Sequence, residues 1–317
     1  MAGPRPPLKA RPFLLPTRHQ PKRHSCQAAA SVLDLGMLRA MKNTRARLVL
    51  GVAFITAALC CLPALDAFAG PKIIWRQLKP GLEFALVPAE KIVRSGNTNI
   101  AALRVDPALF RFKVFVAPEG EKGFSAEEWL VRNNALAVFN AGQYAADHSY
   151  LGLLVVDGKS SGHVASKLEA LFLAEPGDAA LPQARVVDLR YTAFDLHKNP
   201  YKQAAQSHML LDRFGQIRVR RSPLVANRTT VAEDTSGRIL IMVSEGGHTL
   251  WELADFLKSL PLELREVMSM DGAGESQLAV RINGFRYKQM GSPTGSPDIL
   301  PWPVAPLPVA LGIFPRK

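Results

Sequence analysis

The chain has 317 residues and a formal charge of +12, from 39 Lys and Arg against 27 Asp and Glu. The surplus is uneven. Residues 1–69 hold ten bases and only Asp34 and Asp66 as acids, so residues 70–317 carry 29 bases against 25 acids. A balance that close to neutral excludes the broad basic face of a nucleic-acid binder, and the one local cluster, Arg218, Arg220 and Arg221, reads as a solvated strand face.

Residues 1–36 are rich in Pro and Arg and show no core-forming period. They read as a disordered leader, with translation expected to begin at Met37 or Met41. Residues 37–69 have the shape of a signal peptide. Lys42, Arg45 and Arg47 precede an uncharged apolar stretch from Leu48 to Leu65, and Ala67 and Ala69 supply small residues at −3 and −1 of a cleavage site. The expected product is periplasmic or secreted. The stretch is about 18 residues long, just enough to span a bilayer, so an uncleaved leader is the only membrane contact expected. Cys26, Cys60 and Cys61 all lie in it. The remainder therefore has no disulfide, no thiol nucleophile and no cysteine zinc site, and at about 248 residues it can bury a large core without staples.

From residue 75 the chain reads as strands. Trp75 to Val87 is broken by a Pro80-Gly81 turn, and Ile100–Val105 and Phe110–Val116 alternate at period two. Ser125 and Glu128 form a capping box that opens a short helix. Ala135–Phe139 is a short apolar strand that delivers Asn140 to its tip. Leu151–Val156 ends at the Asp157-Gly158 turn, Ala184–Arg190 continues the strand pattern, and Met209–Val219 reads as a hairpin. Thr229–Ala232 and Arg238–Ser244 form a further pair. The period then changes: Thr249 and Glu252 form a second capping box, and Leu250, Leu253, Ala254, Leu257 and Leu260 mark one helical face that stops at Pro261. Val267–Met270 leads into Asp271. Residues 291–317 hold many prolines and little period, as an extended or disordered tail would. The expected fold is one α+β domain over 70–290, built on mixed or antiparallel twisted sheets with few helices.

Three strand ends carry candidate chemistry. In Asp271-Gly272-Ala273-Gly274-Glu275-Ser276 a carboxylate follows an apolar strand, and small residues let the backbone turn tightly with its N–H groups exposed. Such a turn either holds an anion or is a plain hairpin turn. Ser244-Glu245-Gly246-Gly247-His248 offers a second carboxylate and a histidine, although His248 reads first as the residue ahead of the Thr249 cap. Asn140 to Tyr144 offers an amide at the end of a buried strand. Two carboxylates, the Arg228 guanidinium and an amide suit cleavage of a bond bearing negative charge. The histidines at 148, 163, 197, 208 and 248 show no zinc spacing. No phosphate-cradling glycine loop or GxSxG elbow occurs, so nucleotide cofactors and serine hydrolysis are disfavoured. No cofactor is required by this reading. Oxygen donors around 271–276 are the only candidates for Ca²⁺ or Mg²⁺, without the alternating acids of a dedicated loop.

The order of these motifs resembles the phosphodiester glycosidase family from about Ile100 to Met290. The residues that carry the resemblance are Val138–Tyr144 with Asn140, Leu151–Gly158 with Asp157, Gln206–Asp212, Arg228–Arg238, Val243–Gly246, Thr249–Ala254 and Asp271–Ser276. It departs from the family pattern at Glu245, one methylene longer than the family's Asp, at Ala273 and Glu275, and at Glu233. The resemblance implies hydrolysis of a bond between a sugar anomeric carbon and a phosphate oxygen, with a carbohydrate or glycan-phosphate as partner. Under it, Asp271 is nucleophile or base and Glu245 its carboxylate partner. Arg228 clamps phosphate, and Asn140 and the 272–274 backbone hold sugar hydroxyls or phosphate oxygens. Gln206, Asp157, Glu275 and Ser276 complete the substrate-binding set. The added carboxylate of Glu275 motivates a second expectation, a non-catalytic glycan-binding or scaffold protein of exopolysaccharide production on the same fold.

Overall fold

The computed structural model describes residues 72–145, 147–292 and 303–317; the leader and the expected signal segment lie outside them. Every strand pairing among the described residues is antiparallel. The larger sheet runs β1 (Arg76–Lys79), β2 (Leu82–Pro88), β3 (Asn99–Val105), β12 (Ile239–Ser244), β11 (Thr229–Asp234), β13 (Leu264–Ser269), β10 (Tyr201–Leu211), β6 (Leu154–Val156), β7 (Lys159–Ser161), with β8 (Ala170–Pro176) and β9 (Ala184–Asp188) joined through β10. The smaller runs β15 (Phe285–Gln289), β14 (Leu278–Ile282), β5 (Ala137–Asn140), β16 (Val309–Pro315), β4 (Phe110–Val116).

Alternation decides which face meets which neighbour. On β12, Ile239, Ile241 and Val243 join Leu103 of β3, Phe139 of β5 and Leu311 of β16 in one central core between the sheets. The intervening Leu240 and Met242 face the other way, onto Leu253, Ala254 and Leu257 of helix α2 (Leu250–Ser259). Successive residues point to opposite faces of a strand, so a strand buried on both sides reads as an unbroken apolar run. Helix α1 (Ala126–Asn133) covers the outer face of the smaller sheet through Trp129 and Leu130. Both helices open with the expected capping boxes, Ser125 with Glu128 and Thr249 with Glu252. Glu233, at a departure from the family pattern, accepts from the Val186 N–H at 2.9 Å and ties β9 to β11.

Two expectations are corrected. The tail is not all peripheral. Val309–Pro315 is an inner strand between β4 and β5, because Val309, Ala310, Leu311 and Ile313 supply apolar side chains to both its faces. Met209–Val219 does turn back on itself as a short hairpin: the Asp212 N–H donates to the Gln216 carbonyl at 3.1 Å, the Arg218 N–H to the Leu210 carbonyl at 3.0 Å, and Leu211 bridges Ile217. Arg218, by contrast, is not solvated. Its side chain is buried, with Nη1 2.7 Å from Asp188 and 3.6 Å from Asp212 and Nη2 against Glu169. Buried carboxylates of this kind require a countercharge, which Arg218 supplies. No helix among the described residues is long and apolar enough to cross a membrane.

Candidate active site

The site gathers where β13, β11, β5 and β12 end near one another. Asp271 lies two residues past β13. Its Oδ1 accepts from the Gly272 N–H at 2.9 Å and its Oδ2 from the Tyr144 N–H at 3.1 Å. Both bonds favour the charged carboxylate, yet burial outweighs them, and with help from Glu275 pushes the Asp271 carboxyl up to about 6. Arg228 stands at the entry to β11, mostly buried. Its Nε donates to the His248 carbonyl at 3.4 Å and its Nη2 to the Leu224 carbonyl at 3.0 Å. Nη1 lies beside Gly272. Burial lowers the affinity of this guanidinium for its proton, and the Asp271 charge offsets part of that loss. The two groups attract without forming an ion pair.

Beneath them lies a fully buried polar knot. Asn140 donates from Nδ2 to the Asp271 carbonyl at 2.9 Å. Its Oδ1 accepts from the Thr229 hydroxyl at 2.6 Å and from the Gln277 N–H at 3.2 Å. The Thr229 hydroxyl also lies 2.9 Å from that of Ser276. Asn140 and Ser276 are both inaccessible to solvent. They hold the turn from below and are not the sugar contacts expected of them: buried polar atoms must be paired, and theirs are paired with protein. Asn227 locks the other side, accepting at its carbonyl from the Ala273 N–H at 3.0 Å and donating from Nδ2 to the Glu245 carbonyl. The N–H groups of Gly272 and Ala273 are thereby occupied within the fold, so the 272–274 backbone is a poorer anion cradle than its glycines suggest. Gly274 is buried.

Glu245 belongs to the same neighbourhood through Asn227, but its carboxylate accepts from Asn97 at 2.9 Å. The carboxylate whose charge acts on Asp271 is Glu275. Glu275 also lies close enough to raise the Tyr144 phenol, which burial already holds far above its ordinary range. Tyr144 and Tyr150 pack edge to face at 6.0 Å. The Tyr144 hydroxyl donates to the Val309 carbonyl at 2.6 Å, so the C-terminal strand fixes one wall of the site.

Gln206 and Asp157 do not join this cluster. The Gln206 amide is inaccessible and fully engaged, accepting from the N–H groups of Leu153 and Ala165 and donating to the carbonyls of Ala165 and Leu168. It pins the segment 153–168, which carries β6 and β7, to β10. Asp157 sits on the β6–β7 turn, paired with Gln203 at 2.8 Å and Lys113 at 3.3 Å. Gly158 beside it bonds Lys202, five residues along β10 from Ser207, which reaches Gly142 and Ser269 at the site. At strand rise that separation is about 16 Å. Thr229 and Asn227, which sequence reasoning passed over, flank Arg228 directly. A polar Asn-Arg-Thr run at the mouth of a buried strand was the signal. Among the described residues no three His, Cys, Asp or Glu side chains gather to hold a metal ion.

Comparison with known proteins places the chain in a family. Residues 133–314 match the family model described as phosphodiester glycosidase. Among solved structures, the zebrafish N-acetylglucosamine-1-phosphodiester alpha-N-acetylglucosaminidase catalytic domain, auto-inhibited by its pro-peptide, superposes with TM-score 0.51 at 15% identity. The match covers 77% of this chain and 82% of that one. A hypothetical protein from Synechocystis superposes with TM-score 0.49 at 12% identity over 78% of this chain, which spans 64% of that protein. No curated protein sequence matches. The family match extends over more than half of the sequence, from helix α1 to the last strand, and the chain therefore belongs to the phosphodiester glycosidase family.

Proposed function

We propose that this chain is an exported hydrolase that cleaves a glycosyl-1-phosphodiester or a related glycosidic linkage in envelope or exopolysaccharide glycans. The observation that carries the reading is the buried Asp271 carboxyl, raised to about 6 despite the Arg228 charge that acts on it, while Nη1 of Arg228 makes no hydrogen bond among the described residues. A carboxyl with that affinity changes charge close to neutrality, as a general base or acid must. Phosphate is already a good leaving group, so the site needs little acid assistance. Water adds its oxygen to the anomeric carbon, and the carbon–oxygen bond to phosphate breaks with its electron pair on the phosphate. The water proton passes to Asp271 while Nη1 of Arg228 meets a phosphate oxygen. In the alternative route the Asp271 carboxylate attacks the anomeric carbon first and water releases the sugar. The anomer formed first, read by proton NMR, separates the two. The direct test is purified 70–317 against a panel of sugar-1-phosphodiesters. Turnover that Asp271→Asn abolishes, in a variant that remains folded, supports the reading; an Asp271→Asn variant with full activity removes it.

A second reading has its own support. Glu275 places a further negative charge beside Asp271, and two of the three Arg228 nitrogens are occupied by backbone carbonyls. Both weaken a phosphodiester site and suit a glycan-binding or scaffold protein that does not turn over. Saturable binding of the same panel without product after prolonged incubation would favour that reading.

A further inference from the structure

On the outer face of the smaller sheet, away from Asp271, helix α1 and the β14–β15 hairpin enclose a cleft of about 320 Å³. Arg281 and Arg286 line it as directly opposed partners in the antiparallel register. Opposed residues on one face have Cβ atoms only about 5 Å apart, and like charges there repel. Several other arginines are neutralised or stacked: Arg104 pairs with Glu83, Arg316 with Glu175, and Arg132 lies over Phe124. Arg281 and Arg286 make neither an ion pair nor a side-chain hydrogen bond among the described residues. The cleft has one carboxylate, Glu127, and Lys288 occupies it at 2.6 Å. Two positive charges are left without a counter-ion.

We propose that this cleft binds a phosphate or sulfate group carried on a sugar. Two guanidinium forks side by side present paired N–H donors to a tetrahedral oxyanion, the geometry in which arginine binds such groups best. The wall facing them is apolar. Val131 on α1 is 56% exposed, with Leu130 and Ala279 behind it, a surface suited to the C–H face of a sugar ring. Val131 is the one exposed large apolar residue in this lining, too little for insertion into a lipid surface. The site is not the one around Asp271. Arg281 lies five residues beyond Ser276, about 16 Å along an extended chain, on the face opposite the core. It rests on the charge arrangement and not on the proposed reaction, so it holds for a hydrolase and for a binder alike.

The test is calorimetric titration of the folded protein at low salt with glucose 6-phosphate, glucose and inorganic phosphate, beside flotation with phosphatidylglycerol vesicles. Saturable binding of glucose 6-phosphate, tighter than inorganic phosphate and absent for glucose, is expected. R281Q/R286Q should weaken it by about tenfold or more. Without ligand the double variant should melt no lower than the parent, because a repulsion has been removed. Unchanged affinity in R281Q/R286Q, a lowered melting temperature in the double variant, or vesicle recruitment in place of sugar-phosphate binding would each overturn the proposal.

Discussion

Gly272 leaves open the space that Arg228 uses. A Cβ built at position 272 falls 2.7 Å from the Asn227 carbonyl oxygen and 3.2 Å from Nη1 of Arg228. The backbone φ there is −113°, which any residue tolerates, so the requirement for glycine is one of proximity and not of conformation. Gly272→Ala should displace Arg228 and the Asn227 backbone together. The strain is expected to cost about 1–3 kcal/mol and to remove most ligand binding or turnover. Urea denaturation measures the first and titration with a sugar-1-phosphodiester the second. A Gly272→Ala protein with parental affinity would show that the Arg228 position is unimportant.

Asp271 gives a stability signature independent of any substrate. Burial raises its folded-state pKa to about 6 from the ordinary 3.8, so the native state binds the proton more tightly than the unfolded chain. Its favourable contribution is complete below about 4 and is lost as pH rises through 6. Asp271→Asn keeps the shape but cannot ionise. The variant should therefore be more stable than the parent above pH 6, with the difference closing by pH 4. Melting curves across that range test it, and a constant difference at every pH would mean that Asp271 does not titrate where its burial implies.

Much of this site was legible because it uses strand ends. Asn140, Arg228 and Asp271 each terminate or open an apolar run, and neighbouring strands of two packed sheets bring such ends together. The direction of each side chain was not legible. Asn140 and Ser276 face inward to Thr229, and Glu245 turns to Asn97. Those choices depend on the unpaired donors and acceptors of a distant loop. Helix starts were read correctly because a capping box is complete within four residues. The last strand was missed for the opposite reason. Val309–Pro315 follows a proline-rich stretch, and only the gap between β4 and β5, some 170 to 200 residues earlier, makes it a strand. Arg218 escaped for the same cause: its carboxylates at 169, 188 and 212 lie on three different segments.

Gln206 separates a structural amide from a substrate contact. Its side chain closes four hydrogen bonds to the backbone of segment 153–168. Gln206→Ala would leave those buried backbone groups unpaired and should destabilise the fold on the order of 3 kcal/mol. The folded fraction should keep its affinity for substrate, because the amide's hydrogen bonds all go to that backbone and none to the Asp271 cluster. Unfolding by urea alongside titration distinguishes the roles. A large loss of affinity with little loss of stability would restore Gln206 to the binding set.

His248 supplies the reverse pH dependence and tests the floor under Arg228. The ring is inaccessible to solvent, and among the described residues neither nitrogen has a hydrogen-bond partner. Burial first, and then the neighbouring Arg228 charge, push its pKa down to about 4, against a smaller opposing pull from Glu252. A folded value below the unfolded one means that the contribution is fully present above about 6.5 and is lost as pH falls through 4. Protonation would place a second cation against Arg228 in a dry space, with its main-chain carbonyl still holding Nε of that residue. His248→Leu removes the titration and two unpaired polar atoms while keeping the bulk apolar. At pH 7 it should match or exceed the parent in stability, and between pH 6 and 4 its advantage should grow, whereas that of Asp271→Asn shrinks over the same interval. Urea denaturation of the parent and the two variants at pH 4.5 and 7 measures both trends. Parallel profiles for His248→Leu and the parent would mean that the imidazole already carries its proton or reaches water, and that Arg228 is held without it.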